Sequence, residues 1–281
     1  MKSGAIRWMN AALRVFEEFR ALKRVLDRPD FVSTLKASVA VAPAALKSGK
    51  LTALDAAMSR NMTVSFHGSR IVLPLADVDR LLANRNDNPT FGNLREMYAR
   101  DCYLRRLKLR KPVRAVLDLG ANRGLFSLLA LMALGSEIAV GVEPAMDYDA
   151  VFQLLLQANH CDAGRAPRYR KFVSSPTMEQ EVPVENVSIQ SILREQKIDR
   201  FNLVKMDIEG HERMVFSEPE WLASVNNICM ELHPDTGDLS SIPRALDEYG
   251  FEYLLTDQHG KPASGPDATF LYASCTGELI G

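Results

Sequence analysis

The sequence predicts an α/β fold, a mainly parallel sheet with helices on both faces, behind a mainly helical N-terminal extension. Three observations carry this. From Arg114 onward short apolar runs alternate with longer helical ones, the pattern of strands joined by crossover helices. The run V-L-D-L-G-A-N-R-G, Val116 to Gly124, ends an apolar strand on an acid and a glycine turn, where open sheets bind their ligands. Before residue 60 the apolar residues recur instead at helical spacing.

In chain order, Val15, Phe16, Phe19, Leu22 and Leu26 fall on one side of a helix that starts near Ala12, opposite Arg14, Glu17, Glu18 and Lys23. Residues 31–60 also read helical, with Pro43 as a break or start and Gly49 as a stop. Thr63 to Leu75 alternates apolar and polar residues around His67-Gly68, which predicts a hairpin. Residues 76–111 read mostly helical and end in the basic cluster Arg105, Arg106, Lys108, Arg110, Lys111, expected on a solvated helix face or at a pocket rim. Strands follow at Val116–Leu119, Ile138–Val142, Tyr169–Val173, Phe201–Met206 and Ile228–Leu232, with a closing hairpin of Phe251–Leu255 and Thr269–Ala273. Helices are expected between them across Phe126–Leu134, Tyr148–Asn159, Ile189–Glu195, from Glu212, and across Ile242–Tyr249. This gives an extension at 1–60, a hairpin and helical cap contributing to the substrate site at 61–112, and a catalytic domain at 113–281.

Composition narrows the classes. Apolar residues are 47% and charged residues 25% of 281, enough for a sizeable core and not a disordered composition. A formal net charge of -1 gives no global pull toward nucleic acid. Four scattered cysteines without a C-x-x-C pair fit buried thiols in a reducing compartment rather than a zinc site or a disulfide framework. No apolar run approaches about 18 residues, so no membrane span is expected. Arg7 and Arg14 interrupt the only candidate signal region, so the expectation is cytoplasmic. Arg20, Lys23, Arg24 and Arg28 would suit weak peripheral membrane contact by the first helix; packing on its own domain or on a second copy is the preferred reading.

Gly120 and Gly124 let the backbone turn tightly and come close to a ligand. Their spacing is G-x-x-x-G, not the G-x-G-x-x-G that cradles a pyrophosphate. Glu143 ends the second strand at the separation where an acid receives ribose hydroxyls. Asp118 would repel phosphate but suit a cation, unless it merely caps the following helix. Together these point to S-adenosylmethionine, which carries an ammonium, a sulfonium and a ribose but no phosphate.

Two further segments follow: K-M-D-I-E-G-H-E, Lys205 to Glu212, and M-E-L-H-P, Met230 to Pro234. With V-E-P (Val142 to Pro144), Ala158-Asn159, V-S-I-Q-S-I-L (Val187 to Leu193) and the glycine turn, the chain resembles the FkbM family of S-adenosylmethionine-dependent methyltransferases over residues 114–275. The resemblance implies a seven-stranded class I methyltransferase sheet and O-methylation of small molecules or sugars. It places Asp118, Gly120 and Asn122 around the methionine moiety and Glu143 on the ribose. Asp207, Glu209 and Glu212 match the family's acidic element. Arg170 to Ser175 stands where many such enzymes carry an acid on adenine, and Gln190 where they carry Asp.

A hydroxyl acceptor must lose its proton, which calls for a base near the operating pH. His233 is the first candidate, with Glu231 on the same strand face to orient it; His211, in the acidic loop with Asp207, is the second. Asp207, Glu209, Glu212 and Glu231 could hold Mg²⁺, but acids at strand ends also cap helices and steer amines, so no metal is expected. The competing functions are a nicotinamide-dependent oxidoreductase, a non-catalytic partner module, and nucleic-acid methylation, against which the neutral charge and the lack of an N-P-P-Y-like element argue. The partner expected is a small-molecule substrate, with homo-oligomerisation through the N-terminal helices possible.

Overall fold

The computed structural model describes residues 15–48, 51–85, 87–183 and 185–281. Arg7, Arg14 and the expected helix start at Ala12 lie outside them. The chain divides into two compact units, Met1–Asp101 and Cys102–Gly281.

In the first unit, α1 (15–25) and α2 (Arg28–Ser48, with Pro43 inside) lead to α3 (Thr52–Ala57). The hairpin of β1 (Asn61–Phe66) and β2 (Ser69–Pro74) turns on His67 (φ 46°) and Gly68 (φ 84°), the two left-handed residues of a two-residue loop. Met62, Val64 and Phe66 alternate inward, as expected. α4 (Leu75–Leu81) and α5 (Thr90–Leu94) follow, α5 continuing as a π turn over Arg95–Ala99.

The buried side of α1 differs from the expected stripe. It is Ala21, Leu22, Val25 and Leu26, while Phe16 is 66% exposed. Glu18, expected on the polar side, is buried because Arg95 donates to it at 2.7 Å while also holding Asp55 through two bonds at 2.7 and 2.9 Å. The hairpin belongs with the helices rather than apart from them: Leu26 bridges to Val64, and Phe66 meets Tyr98 edge-on.

The second unit begins with a turn segment, not the expected helix to residue 111. Its basic cluster is not a helix face. Arg105 donates to the Tyr272 hydroxyl, Arg106 to the carbonyls of Gly260 and Gly281, and Lys108 N–H to the Glu278 carbonyl. These bonds tie residues 105–108 to the C-terminal part of the unit, which places the division before Cys102 rather than at 112.

The sheet comprises β3 (Ala115–Leu119), β4 (Ile138–Val142), β5 (Arg168–Tyr169), β8 (Leu203–Met206), β9 (Asn227–Glu231), β10 (Glu252–Thr256) and β11 (Phe270–Ser274), in the order β10-β11-β9-β8-β3-β4-β5. β11 runs antiparallel to both neighbours and the rest are parallel. The expected third strand is split: β5 joins the main sheet, while β6 (Phe172–Ser174) pairs separately with β7 (Asn186–Ser188). The crossover helices are α6 (Leu125–Leu129, extended by a π turn to Leu134), α7 (Tyr148–Ala158), α8 (Pro176–Glu181), α9 (Ile189–Gln196), α10 (Glu212–Val215) and α11 (Ser241–Glu248). α8 was not expected; Ser175 caps it by accepting from Met178 N–H, and Pro176 opens it.

The strands are apolar on both faces, as a covered parallel sheet requires. Leu117, Leu119, Val140, Val142, Val204, Met206, Ile228 and Met230 share one core, each such burial stabilising by roughly 1.5–3 kcal/mol. The chain goes from β3 outward to β4 and β5, then returns to lay β8 and β9 on the other side of β3. The order therefore reverses at β3 and β8, the point beyond whose carboxyl ends open α/β sheets bind their ligands.

Candidate active site

Gly120 takes φ +70° directly after β3, and a Cβ there would stand 1.7 Å from the Asp207 carbonyl oxygen. Only glycine lets the β3 and β8 loops approach so closely. Gly124 (φ +83°) precedes α6, and a Cβ on it would strike the Phe152 ring at 2.0 Å. Between them Asn122 holds φ +48°, a conformation that asparagine tolerates, and its Oδ1 accepts from Arg123 N–H at 2.8 Å.

Glu143 binds this turn directly. Its Oε2 accepts from Asn122 N–H and its Oε1 from Ala145 N–H, both at 2.9 Å. A carboxylate offers about four acceptor positions. The two backbone donors take up two of these.

Asp118 has no exposed surface. Its Oδ2 accepts from the backbone N–H and hydroxyl of Ser127, at 3.0 and 2.7 Å, in the first turn of α6. Its Oδ1 pairs with the Lys205 ammonium at 3.3 Å. Expected beside the cofactor's cationic end, it is a buried helix cap and counter-ion instead. Lys205, also buried, donates to the Gly120 carbonyl at 2.8 Å. Burial lowers its affinity for a proton, but Asp118 and Asp207 outweigh that and the net shift is upward.

Asp207, just after β8, accepts from the Tyr103 hydroxyl at 2.9 Å. Burial, reinforced by Asp207 and Glu231, holds the Tyr103 phenol well above its ordinary range, so it stays a donor. The ring packs edge-on to Phe126 and Phe270.

His233, after β9, has its Nδ1 2.7 Å from Oε1 of the fully buried Glu212. Its Nε2 lies 3.9 Å from Asp207 and 3.5 Å from Glu209. The carboxylate on the imidazole is thus Glu212, where the sequence reading looked to Glu231. The Glu212 hydrogen bond, opposed by burial and aided by the charges of Glu212, Asp207 and Glu209, pushes His233 up to about 9. His211 stays apart: it is exposed, with Nδ1 3.1 Å from the Ile208 carbonyl and its ring near Phe172.

Asp207, Glu209 and His233 each present one ligand atom within 4.8 Å of the others, a spacing at which three donors can share a cation. Acids on an exposed loop also take this spacing without one, and Glu209 is 87% exposed.

The site is therefore acidic at two strand ends, with Glu143 after β4 and Asp207 and Glu209 after β8, and it has a carboxylate-held imidazole after β9. Residues 155–253 match the family described as the methyltransferase FkbM domain. The FkbM match includes Asp207, Glu209, His211, Glu212, Glu231 and His233, while the glycine turn and Glu143 precede it. A methyltransferase domain of this kind uses S-adenosylmethionine as its methyl donor. No curated protein sequence matches the chain. Among solved structures it is similar to a ribosomal protein L11 methylase from Lactobacillus delbrueckii subsp. bulgaricus (14% identity, TM-score 0.36, 57% of this chain and 68% of that one). It is also similar to the N-terminal domain of human METTL16 with S-adenosylhomocysteine (10%, 0.39, 72% and 70%). A third is M. capricolum TrmK with the same product (6%, 0.40, 60% and 64%). The chain spans about two thirds of the length of each.

The sequence reading missed Lys205, Tyr103 and the pairing of Glu212 with His233. Lys205 lay in view inside K-M-D-I-E-G-H-E, where a lysine in an otherwise apolar strand was the available signal. Tyr103 had none.

Proposed function

We propose that the enzyme methylates an oxygen of a small molecule or sugar, with His233 taking the acceptor's proton. The observation that carries this is the Glu212–His233 pair. A buried carboxylate fixes Nδ1, which leaves Nε2 turned toward Asp207 and Glu209 at the mouth of the site. This is the arrangement in which an imidazole serves as a positioned base.

The donor set suits the cofactor. Glu143 takes the ribose hydroxyls, the Gly120–Gly124 turn lies along the methionine moiety, and Asp207 faces the cationic end. When bound, S-adenosylmethionine supplies a sulfonium methyl for in-line displacement. The protein's part is chiefly alignment. At neutral pH His233 carries a proton, so it must shed one before it can accept another. Were a cationic donor held beside Asp207, that carboxylate would be partly neutralised and His233 would hold its proton less tightly. His211 and Glu231 are the weaker catalytic candidates.

Calorimetric titration tests the cofactor half. S-adenosylmethionine and S-adenosylhomocysteine are expected to bind, NAD is not, and Glu143→Ala is expected to abolish binding. Tight NAD binding would return the site to the oxidoreductase reading. Among the described residues no helix is long and apolar enough to cross a membrane. The free thiols, with Cys102 and Cys229 buried, support a cytoplasmic setting. The exposed Val32, Leu35 and Val39 of α2 support self-association through the N-terminal helices, in preference to peripheral membrane contact.

A further inference from the structure

Lys205 is the buried charge that the proton chemistry leaves unused. It faces Asp118 in the β3–β8 register, in a strand whose other residues are Leu203, Val204 and Met206. An apolar residue would serve that core as well, so a desolvated ammonium needs another reason to be there. Its ammonium donates to the Gly120 carbonyl at 2.8 Å and the Leu119 carbonyl at 3.4 Å and forms an ion pair with Asp118 Oδ1 at 3.3 Å. Asp207 Oδ2 lies 3.9 Å away and the Tyr103 ring centre 5.3 Å.

The glycine turn is saturated from the other side. Gly120 and Ala121 N–H donate to the Val142 carbonyl, Asn122 N–H to Glu143, and the Asn122 carbonyl accepts from Arg168 at 2.6 Å. Lys205 supplies the remaining hold, on the one peptide that must pass against Asp207. Without it the Gly120 carbonyl would lose its lysine donor and Asp118, still held by Ser127, would lose its counter-charge.

We propose that Lys205 is a positioning residue of the cofactor site: it clamps the Gly120 peptide and cancels Asp118, leaving Asp207 as the acid that faces the donor. This rests on the assignment of the glycine turn to the methionine moiety.

The test is a cycle of Lys205→Met, Asp118→Asn and the double variant, titrated with S-adenosylmethionine and S-adenosylhomocysteine, with hydrogen exchange read at amides 119–124. K205M is expected to weaken both ligands about 10- to 100-fold and to speed exchange in the turn. D118N is expected to weaken them as well, and D118N/K205M to recover only the part of the loss that comes from the uncancelled charge, because the Gly120 carbonyl still lacks its donor. A role confined to packing would give additive losses with no recovery, and that result overturns the proposal, as does K205M binding like the wild type. Should K205M fail to fold, the double variant and K205R, which keeps the charge and is expected to rescue binding in part, decide the matter. If the wild type binds neither ligand, the assignment of the turn falls, while the exchange rates still decide whether Lys205 clamps it.

Discussion

At the residue scale the decisive group is His233. Its proton affinity is raised in the folded protein, so its contribution to stability is complete below its ordinary value of 6.5 and is lost as pH rises through about 9. Denaturant melts from pH 6 to 10 should therefore show stability falling across that window, and His233→Asn should flatten the fall. Catalysis has the opposite sign, because the base must be neutral. The rate should climb with pH to a plateau below 9 when cofactor is bound, and His233→Asn should lower kcat by about 10²- to 10⁴-fold while leaving S-adenosylmethionine affinity nearly unchanged. A flat profile, or a variant of full activity, removes His233 from the reaction. Glu212→Gln should move the rate profile to lower pH, since the carboxylate at 2.7 Å is the largest cause of the upward shift.

At the scale of elements, β3 and α6 are joined by one carboxylate. Asp118 holds the Ser127 backbone N–H and hydroxyl, satisfying a donor that the first turn of α6 would otherwise leave without a partner. Ser127→Ala removes the hydroxyl bond and keeps the backbone bond, so it should cost about 1–2 kcal/mol in chemical denaturation. Asp118→Asn should cost more, because Lys205 then lacks its counter-charge; equal losses would show that the cap outweighs the ion pair. The extent to which this was readable follows from what each signal depends on. The main strands, the closing hairpin and the His67-Gly68 turn were legible, since apolar period and turn residues act locally. The split of Tyr169–Val173 into β5 and β6 was not, because the apolar run is continuous and only pairing partners separate it. Glu143 was legible by spacing along the chain. Glu212 on His233 was not, since residues 21 apart meet only once β8 and β9 lie side by side. Asp118 was read as a ligand for a cation, and the cation it meets is a lysine of its own sheet.

At the scale of the whole molecule the open matter is whether the chain works alone. Val32 (40% exposed), Leu35 (40%) and Val39 (78%) recur at spacings of three and four on α2, which sets them on one face. Such a stripe in contact with water is unfavourable by roughly 25 cal/mol per Å² of apolar area, and a second copy of the same helix would cover it symmetrically. If α2 pairs in this way, sedimentation should show a dimer at micromolar protein. The melting temperature should then rise with protein concentration, because association stabilises the folded state by mass action. Val39→Glu should leave the monomer folded, as the side chain is already solvated, while placing like charges opposite one another across the pair. The expected outcome is a monomer whose melting temperature no longer depends on concentration and whose cofactor binding matches the wild type, because the donor-binding residues named above all lie in Cys102–Gly281. Wild-type protein that sediments as a monomer at every concentration would leave this face without a second copy and end the oligomer proposal.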